Sequence, residues 1–297
     1  MSQFIDWIKA ARLRTLPLSV SGIIVGTSLG SNDLIWKSGI FWLAIATTVG
    51  FQVLSNFAND YGDGIKGTDD HREGEKRLVA SGSISAASMK RGMIITTTIT
   101  LVVALNLIYV SFGLEDLLLS GIFILLGIAS IAAAIKYTVG KKAYGYSGFG
   151  DVFVFLFFGL LSVLGTYFLF TKTLSWDLLL PATTIGLLSM AVLNLNNMRD
   201  IENDTVNNKN TLVVKLGSSK AKIYHYLLLL IAMVSALYYT YIHFSTSNQL
   251  LYCIAFIALL VNMWKVFKNK DPRLLDAELK VVALSTFLFA LLFGFLH

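Results

Sequence analysis

Ser38-Gly-Ile-Phe-Trp-Leu-Ala-Ile-Ala-Thr-Thr-Val-Gly-Phe-Gln-Val-Leu-Ser-Asn56-Phe-Ala58 runs without a charge and then opens into Asn59-Asp60-Tyr61-Gly62-Asp63. Roughly 20 apolar residues at a rise of about 1.5 Å each cross the hydrocarbon of a bilayer as a helix, so this stretch reads as a membrane span ending in acids. The pattern recurs. Apolar runs near 16–31, 38–58, 92–111, 117–135, 150–170, 177–196, 223–242, 249–266 and 279–296 predict about nine transmembrane helices. The first is interrupted by Gly22, Gly26 and several serines, which membrane helices tolerate. With 55% hydrophobic and 14% charged residues and a mean hydropathy of +0.68, the 297-residue chain does not suit a soluble domain. The expected fold is all-α and multi-pass, one domain over residues 1–297 arranged around a central cavity.

Charge tests that count, because cytoplasmic loops of membrane proteins collect Lys and Arg. With nine spans and a cytoplasmic N-terminus, the inner segments hold Lys9, Arg12 and Arg14; Lys66, Arg72, Lys76, Arg77, Lys90 and Arg91; Lys136, Lys141 and Lys142; Arg199, Lys209, Lys215, Lys220 and Lys222; and Lys265, Lys268, Lys270, Arg273 and Lys280. Only Lys37 and Lys172 fall outside, and of the acids only Asp33, Glu115, Asp116 and Asp177. The working face is therefore expected on the cytoplasmic side of a cell membrane, with His297 on the other side. The net charge of +6 follows from this topology and from attraction to anionic lipid, and argues against a nucleic-acid partner. The chain opens on a polar, amphipathic segment, Ser2 to Arg14, without the apolar core of a signal peptide. Cys253, alone in an apolar run, reads as a small buried hydrophobe.

A second acidic cluster mirrors the first. Asn194-Leu-Asn196-Asn197-Met-Arg199-Asp200-Ile-Glu-Asn-Asp204 leaves the sixth run much as Asn56-Phe-Ala-Asn59-Asp60-Tyr-Gly-Asp63 leaves the second. If helix continues through both ends, Asn56, Asp60 and Asp63 share one face, and Asn197, Asp200 and Asp204 share another. The two copies are offset by four helices, consistent with a weak internal repeat that brings both ends around one cavity. Charges beside hydrocarbon are costly, so acids gathered there in pairs imply a purpose. Mg2+ takes one or two protein carboxylates and shares the oxygens of a substrate phosphate. Two clusters thus suit Mg2+ ions bridging a diphosphate, with Lys66, Arg72, Lys76, Arg77, Arg199, Lys209 and Lys215 as basic partners. Any one of these cations taken singly reads as readily as an ordinary solvated loop residue. His71 and the other three histidines share no ligand spacing, so no zinc site or histidine base is expected.

The two clusters occur with Ala11-Arg-Leu-Arg14-Thr15-Leu-Pro17, Asn59-Asp60-Tyr61-Gly62-Asp63-Gly-Ile-Lys66-Gly67-Thr-Asp69, Tyr146-Ser-Gly148-Phe-Gly150-Asp151, and Asn208-Lys209-Asn210-Thr211-Leu212. Together, over about residues 8 to 220, they resemble the UbiA superfamily of intramembrane aromatic prenyltransferases. Within it the wording is most similar to the branch acting on 1,4-dihydroxy-2-naphthoate in menaquinone synthesis. The resemblance implies Mg2+-dependent transfer of a polyprenyl group from polyprenyl diphosphate to that aromatic acceptor, with loss of CO2, giving demethylmenaquinol. It implies Mg2+ on Asp60, Asp63, Asp200 and Asp204, and Asp151 orienting or deprotonating the acceptor or helping to bind metal. Asn56, Asn59, Lys66, Arg77, Tyr137, Tyr146, Asn197, Arg199 and Lys209 would bind substrate. A developing allylic cation needs a dry cavity with aromatic faces, for which Phe57, Tyr61, Tyr137, Tyr146, Phe149 and Phe153 are candidates.

Alternatives stay open at this point. Homogentisate, 4-hydroxybenzoate or haem are acceptors elsewhere in that superfamily, and a secondary transporter would instead need polar groups reachable from both faces. Two positions depart from the family pattern. Gly67 stands where the wider superfamily often has a third Asp, with Asp69 two residues on; Asn208 stands where the branch usually has Gly, and Asn tolerates left-handed backbone. The isoprenoid tail is expected to leave laterally, with Gly22, Gly26, Gly127, Gly159, Gly165 and Gly186 either bringing helices close or lining that passage.

Overall fold

The computed structural model describes residues 2–31, 34–68, 77–140 and 143–297; Asp33, Asp69, His71, Arg72, Lys76, Lys141 and Lys142, named above, lie outside them. Among the described residues the chain is helical, with no strand. Helix α1 (Ser2–Ala11) leads through a tight turn at Leu13–Thr15 into α2 (Leu16–Gly30), whose first turn takes Pro17 with its preset φ. Next come α3 (Gly39–Lys66), α4 (Ala86–Phe112) and α5 (Leu117–Lys136). A composite helix follows, made of α6 (Gly150–Val154), a π-helical segment (Phe155–Gly165) and α7 (Thr166–Thr171). Helix α8 (Leu179–Arg199), the short α9 (Ile201–Val206) and α10 (Leu212–Leu216), and then α11 (Ser218–Ile242), α12 (Cys253–Lys268) and α13 (Leu275–Leu296) complete the chain.

Among the described residues, eight helices are long and apolar enough to cross a membrane: α3, α4, α5, the composite helix, α8 and α11 to α13. The run near 16–31 forms the shorter α2, of 15 residues, wedged between α13, α3 and the composite helix and buried along most of its middle. Helices α4 and α5 turn Ile94, Ile95, Ile99, Val102, Leu118, Leu125 and Ile128 outward. Such a continuous apolar exterior is stable against lipid chains and not against water.

Small residues set how closely the helices meet. A Cβ on Gly159 would lie 2.7 Å from both the Ala182 carbonyl and Gly186 Cα, so the π-segment and α8 touch backbone to backbone there. Gly22 and Gly26 of α2 meet the same composite helix at Ser162 and Val163. Gly127 and Gly165, by contrast, line a small apolar cavity of about 100 Å³ that shares Phe51, Ser130 and Leu161 with the main one.

The two acidic helix ends differ. Helix α3 runs unbroken through Asp63 and stops at Gly67, which takes left-handed backbone (φ 72°) while the N–H groups of Gly67 and Thr68 return to the carbonyls of Gly64 and Asp63. The absent third Asp is thus explained: position 67 is the glycine stop of the helix. Helix α8 ends earlier than expected, at Arg199. Asp200 leaves helical geometry (φ −94°, ψ 8°) and α9 restarts behind it, so the stripe through Asn197, Asp200 and Asp204 is built on two helices joined at Asp200. Asn208 adopts φ 53°, the left-handed geometry for which asparagine is suited.

The chain termini lie at opposite ends of the bundle. Asn56 Nδ2 donates to Ala11 O (2.9 Å), tying α1 to the acidic end. His297 lies 2.9 Å from Thr240 Oγ1, and His243 pairs with Asp177 at the start of the segment leading into α8.

Candidate active site

Between α2, α3, α5, the composite helix and α8 lies a cavity of about 340 Å³. Away from the charged groups its lining is largely apolar and aromatic, with Ile23, Phe51, Ala133, Phe153, Phe157, Phe158 and Leu161 beside the small or neutral polar side chains of Ser19, Thr48, Gln52, Ser130 and Ser162. Its mouth is polar, lined by Arg12, Asn56, Asn59, Asp63, Arg77, Tyr137, Asn196, Asn197 and Lys209. One wall therefore suits a hydrocarbon and the other an anion, in a single space.

The mouth is organised around Asp63, 2% exposed in the last turns of α3. Tyr146 donates its hydroxyl to Asp63 Oδ1 (2.7 Å), and Lys209 Nζ stands 3.7 Å from Asp63 Oδ2. The same ammonium is 3.7 Å from Asp204 Oδ1 of α9. Carboxylates from the two clusters thus converge on one cation position. The clusters are also joined through backbone: Asn203 and Asn207 both donate to Thr68 O, and Thr68 Oγ1 bonds the Tyr146 hydroxyl. Lys66 donates to Thr138 O (2.7 Å) and lies 3.8 Å over the Tyr146 ring. The chain after α9 is held alongside, with the Lys209 N–H on Asp204 O and the Asn210 N–H on Tyr146 O.

Other residues singled out from sequence have different tasks. Asp60 is buried, accepts the backbone N–H groups of Leu78 and Val79, and does not line the cavity. Arg199 holds Asp200 through two hydrogen bonds (2.8 and 2.9 Å), and also bonds Asn196 and Asp276. Its guanidinium therefore serves first as the partner of Asp200. Asp151, at the start of α6, accepts from Tyr224 of α11 (3.1 Å) and is not in the lining, although Gly150 and Phe153 beside it are. Asn56 anchors the N-terminal segment through Ala11 O and Thr15 Oγ1. Asn59 accepts from Thr138.

Of the six aromatic candidates, Tyr137 and Phe153 line the cavity, and Tyr144 stacks on Phe153 with ring centres 3.9 Å apart. Burial, and then the negative charges of Asp151, Asp63 and Asp204, push the Tyr137 hydroxyl well above the usual phenol range, so it stays protonated as a donor. Phe57 and Tyr61 belong to a satellite apolar cluster with Trp7, Leu54 and Met89, and Phe149 is 56% exposed. Sequence reasoning passed over Gln52, Asn196, Phe157 and Phe158 as lining residues, and over Thr138, Tyr224 and Asp276 as partners. Asp276, from the last helix, carries no motif signal; only the approach of α13 to α8 reveals it.

Among the described residues, no three His, Cys, Asp or Glu side chains converge into a metal centre of their own. A metal that shares its shell with a phosphate does not need one. The carboxylates of Asp63 and Asp204 around one ammonium, with Asn59 and Asn197 beside them, offer the hard oxygen donors that Mg2+ takes.

A cavity with an aromatic wall and a mouth of acids and cations, set in a multi-pass helical bundle, is the arrangement of a membrane-embedded enzyme. The chain belongs to the UbiA prenyltransferase family, whose model matches residues 18–295. It is 40% identical over 292 residues to the 1,4-dihydroxy-2-naphthoate octaprenyltransferase of Haemophilus influenzae, covering 97% of this chain and 94% of the relative. It is 41% identical over 296 residues to the Escherichia coli protein of that name, covering 96% and 94%. A UbiA homolog from Archaeoglobus fulgidus, solved bound to GPP and Mg2+, has the same fold, with a TM-score of 0.65 at 14% identity over 97% of this chain and 99% of the other.

Proposed function

We propose that this membrane enzyme transfers a polyprenyl group from polyprenyl diphosphate to 1,4-dihydroxy-2-naphthoate, releasing diphosphate and CO2 and forming demethylmenaquinol for menaquinone biosynthesis. The observation that carries the reading is the convergence of Asp63 and Asp204 on one cation position at the mouth of an apolar, aromatic cavity. The two relatives above bear the name of that activity.

The diphosphate would sit at the mouth against Arg77, Lys209 and Arg12, whose cations compensate its charge. Mg2+, held by Asp63 and Asp204 and shared with diphosphate oxygens, would supply the neutralisation that makes diphosphate a leaving group. The carbon–oxygen bond breaks, and diphosphate departs with the electron pair. Tyr137, Phe153 and Phe157 line the space in which the allylic cation would form, and their aromatic groups would stabilise it and exclude water. The ring carbon bearing the carboxylate attacks, a carbon–carbon bond forms, and loss of CO2 returns the electron pair to the ring. This route removes the carboxylate without a protein base. The mouth faces the cytoplasm, because the Lys and Arg residues gather at that end.

Purified protein in detergent, given Mg2+, a polyprenyl diphosphate and 1,4-dihydroxy-2-naphthoate, is expected to release diphosphate and CO2 in equal amounts. Diphosphate release only with another phenolic acid would overturn the acceptor. Asp63→Asn should abolish turnover in a protein that still inserts and folds, and full activity would remove the metal and diphosphate site.

A further inference from the structure

Asp60 lies one helical turn before Asp63 on α3 yet is built into something else. It is 1% exposed, and each carboxylate oxygen accepts a backbone N–H from the turn that returns to the bundle after α3: Oδ2 from Leu78 (3.1 Å) and Oδ1 from Val79 (3.0 Å). Charge-assisted bonds of this kind are among the strong ones, the more so away from water. The turn is seated twice more. Leu78 is 2% exposed in the satellite cluster, and Val79 covers Gly64 so closely that a Cβ there would come within 2.7 Å of Val79 Cγ1. Arg77 immediately precedes these two pinned amides, and it lines the cavity with Asp63 and Lys209.

We propose that Asp60 is a positioning residue for Arg77 and not a metal ligand. The proposal rests on the diphosphate-donor reading above. Two adjacent amides fixed to the last turns of α3 leave the chain little freedom one residue upstream, so the carboxylate determines where the Arg77 guanidinium enters the mouth. Asparagine in its place keeps one acceptor and turns an NH2 toward the other N–H, so the turn loosens while Asp63 and Asp204 keep their places.

The test uses purified full-length protein, with Mn2+ and inorganic diphosphate as probes and calorimetry as the readout. Asp60→Asn and Arg77→Ala are each expected to weaken diphosphate binding about tenfold, and the double variant no further, because one contact is being lost. The Mn2+ concentration that supports binding should stay at the wild-type value in both, and rise in Asp63→Asn. A rise in Asp60→Asn matching that of Asp63→Asn would make Asp60 a ligand and overturn the proposal. Wild-type diphosphate binding in Arg77→Ala would overturn it as well, and this arm stands even where Asp60→Asn does not fold. Wild-type protein that binds no Mn2+-diphosphate at all would overturn the functional reading, a different failure from either of these.

Discussion

Lys209 Nζ stands 3.7 Å from Asp63 Oδ2, although the two residues leave different helices at opposite ends of the motif region. The lysine occupies the position a metal would share, since Asp204 approaches the same ammonium to 3.7 Å. Lys209→Met removes that resident charge. Mn2+ binding to substrate-free protein, followed by electron paramagnetic resonance, should tighten by about tenfold, while donor turnover falls on the order of tenfold or more because a phosphate contact is lost. Weaker Mn2+ binding in this variant would show that the lysine does not compete for the site.

Tyr146 offers a separate handle on Asp63. Its hydroxyl is the hydrogen-bond donor to Oδ1, while its ring carries Lys66. Tyr146→Phe keeps the ring and deletes the bond. Turnover should fall by about tenfold with a stability loss of about 1 kcal/mol, read from kcat and from thermal unfolding in detergent. An unchanged kcat would make the bond incidental.

Asp276 links α13 to the second cluster. It accepts from Arg199 (2.6 Å) and has Arg14 and Lys280 within 3.7 and 3.5 Å. Asp276→Asn leaves three cations around a neutral group, but its partial exposure tempers the cost. A loss of about 1–3 kcal/mol is expected in thermal unfolding, together with lower turnover as Arg199 releases Asp200. Retention of both wild-type Tm and kcat would contradict this.

The glycines divide into two sorts with opposite tolerance. Gly159→Ala drives a methyl into the backbone of α8 and should cost about 1–3 kcal/mol, seen as a lower Tm. Gly127→Ala meets nothing within 4 Å and should leave Tm unchanged. Equal effects from the two substitutions would contradict the packing described here.

Much of the site was legible because its parts are local. The continuation of α3 through Asp63, the aromatic run after Gly150, and the tolerance of Asn208 for left-handed backbone could each be read from a few adjacent residues. Partners supplied by distant helices could not. Nothing near Asp60 announces that residues 78 and 79 return to occupy it, and nothing near Arg199 announces Asp276.

By itself, then, the sequence determined the helical class and the places where polar chemistry interrupts hydrocarbon. These follow from transfer free energies and helix periodicity, which act over a turn or a span. Only the tertiary structure decided which acids face the cavity. Asp63 and Asp60 are one turn apart on the same helix, yet one takes the Tyr146 hydroxyl and the other the amides of a returning turn. A carboxylate takes whichever donors packing brings within about 3 Å, and packing is a property of the whole bundle.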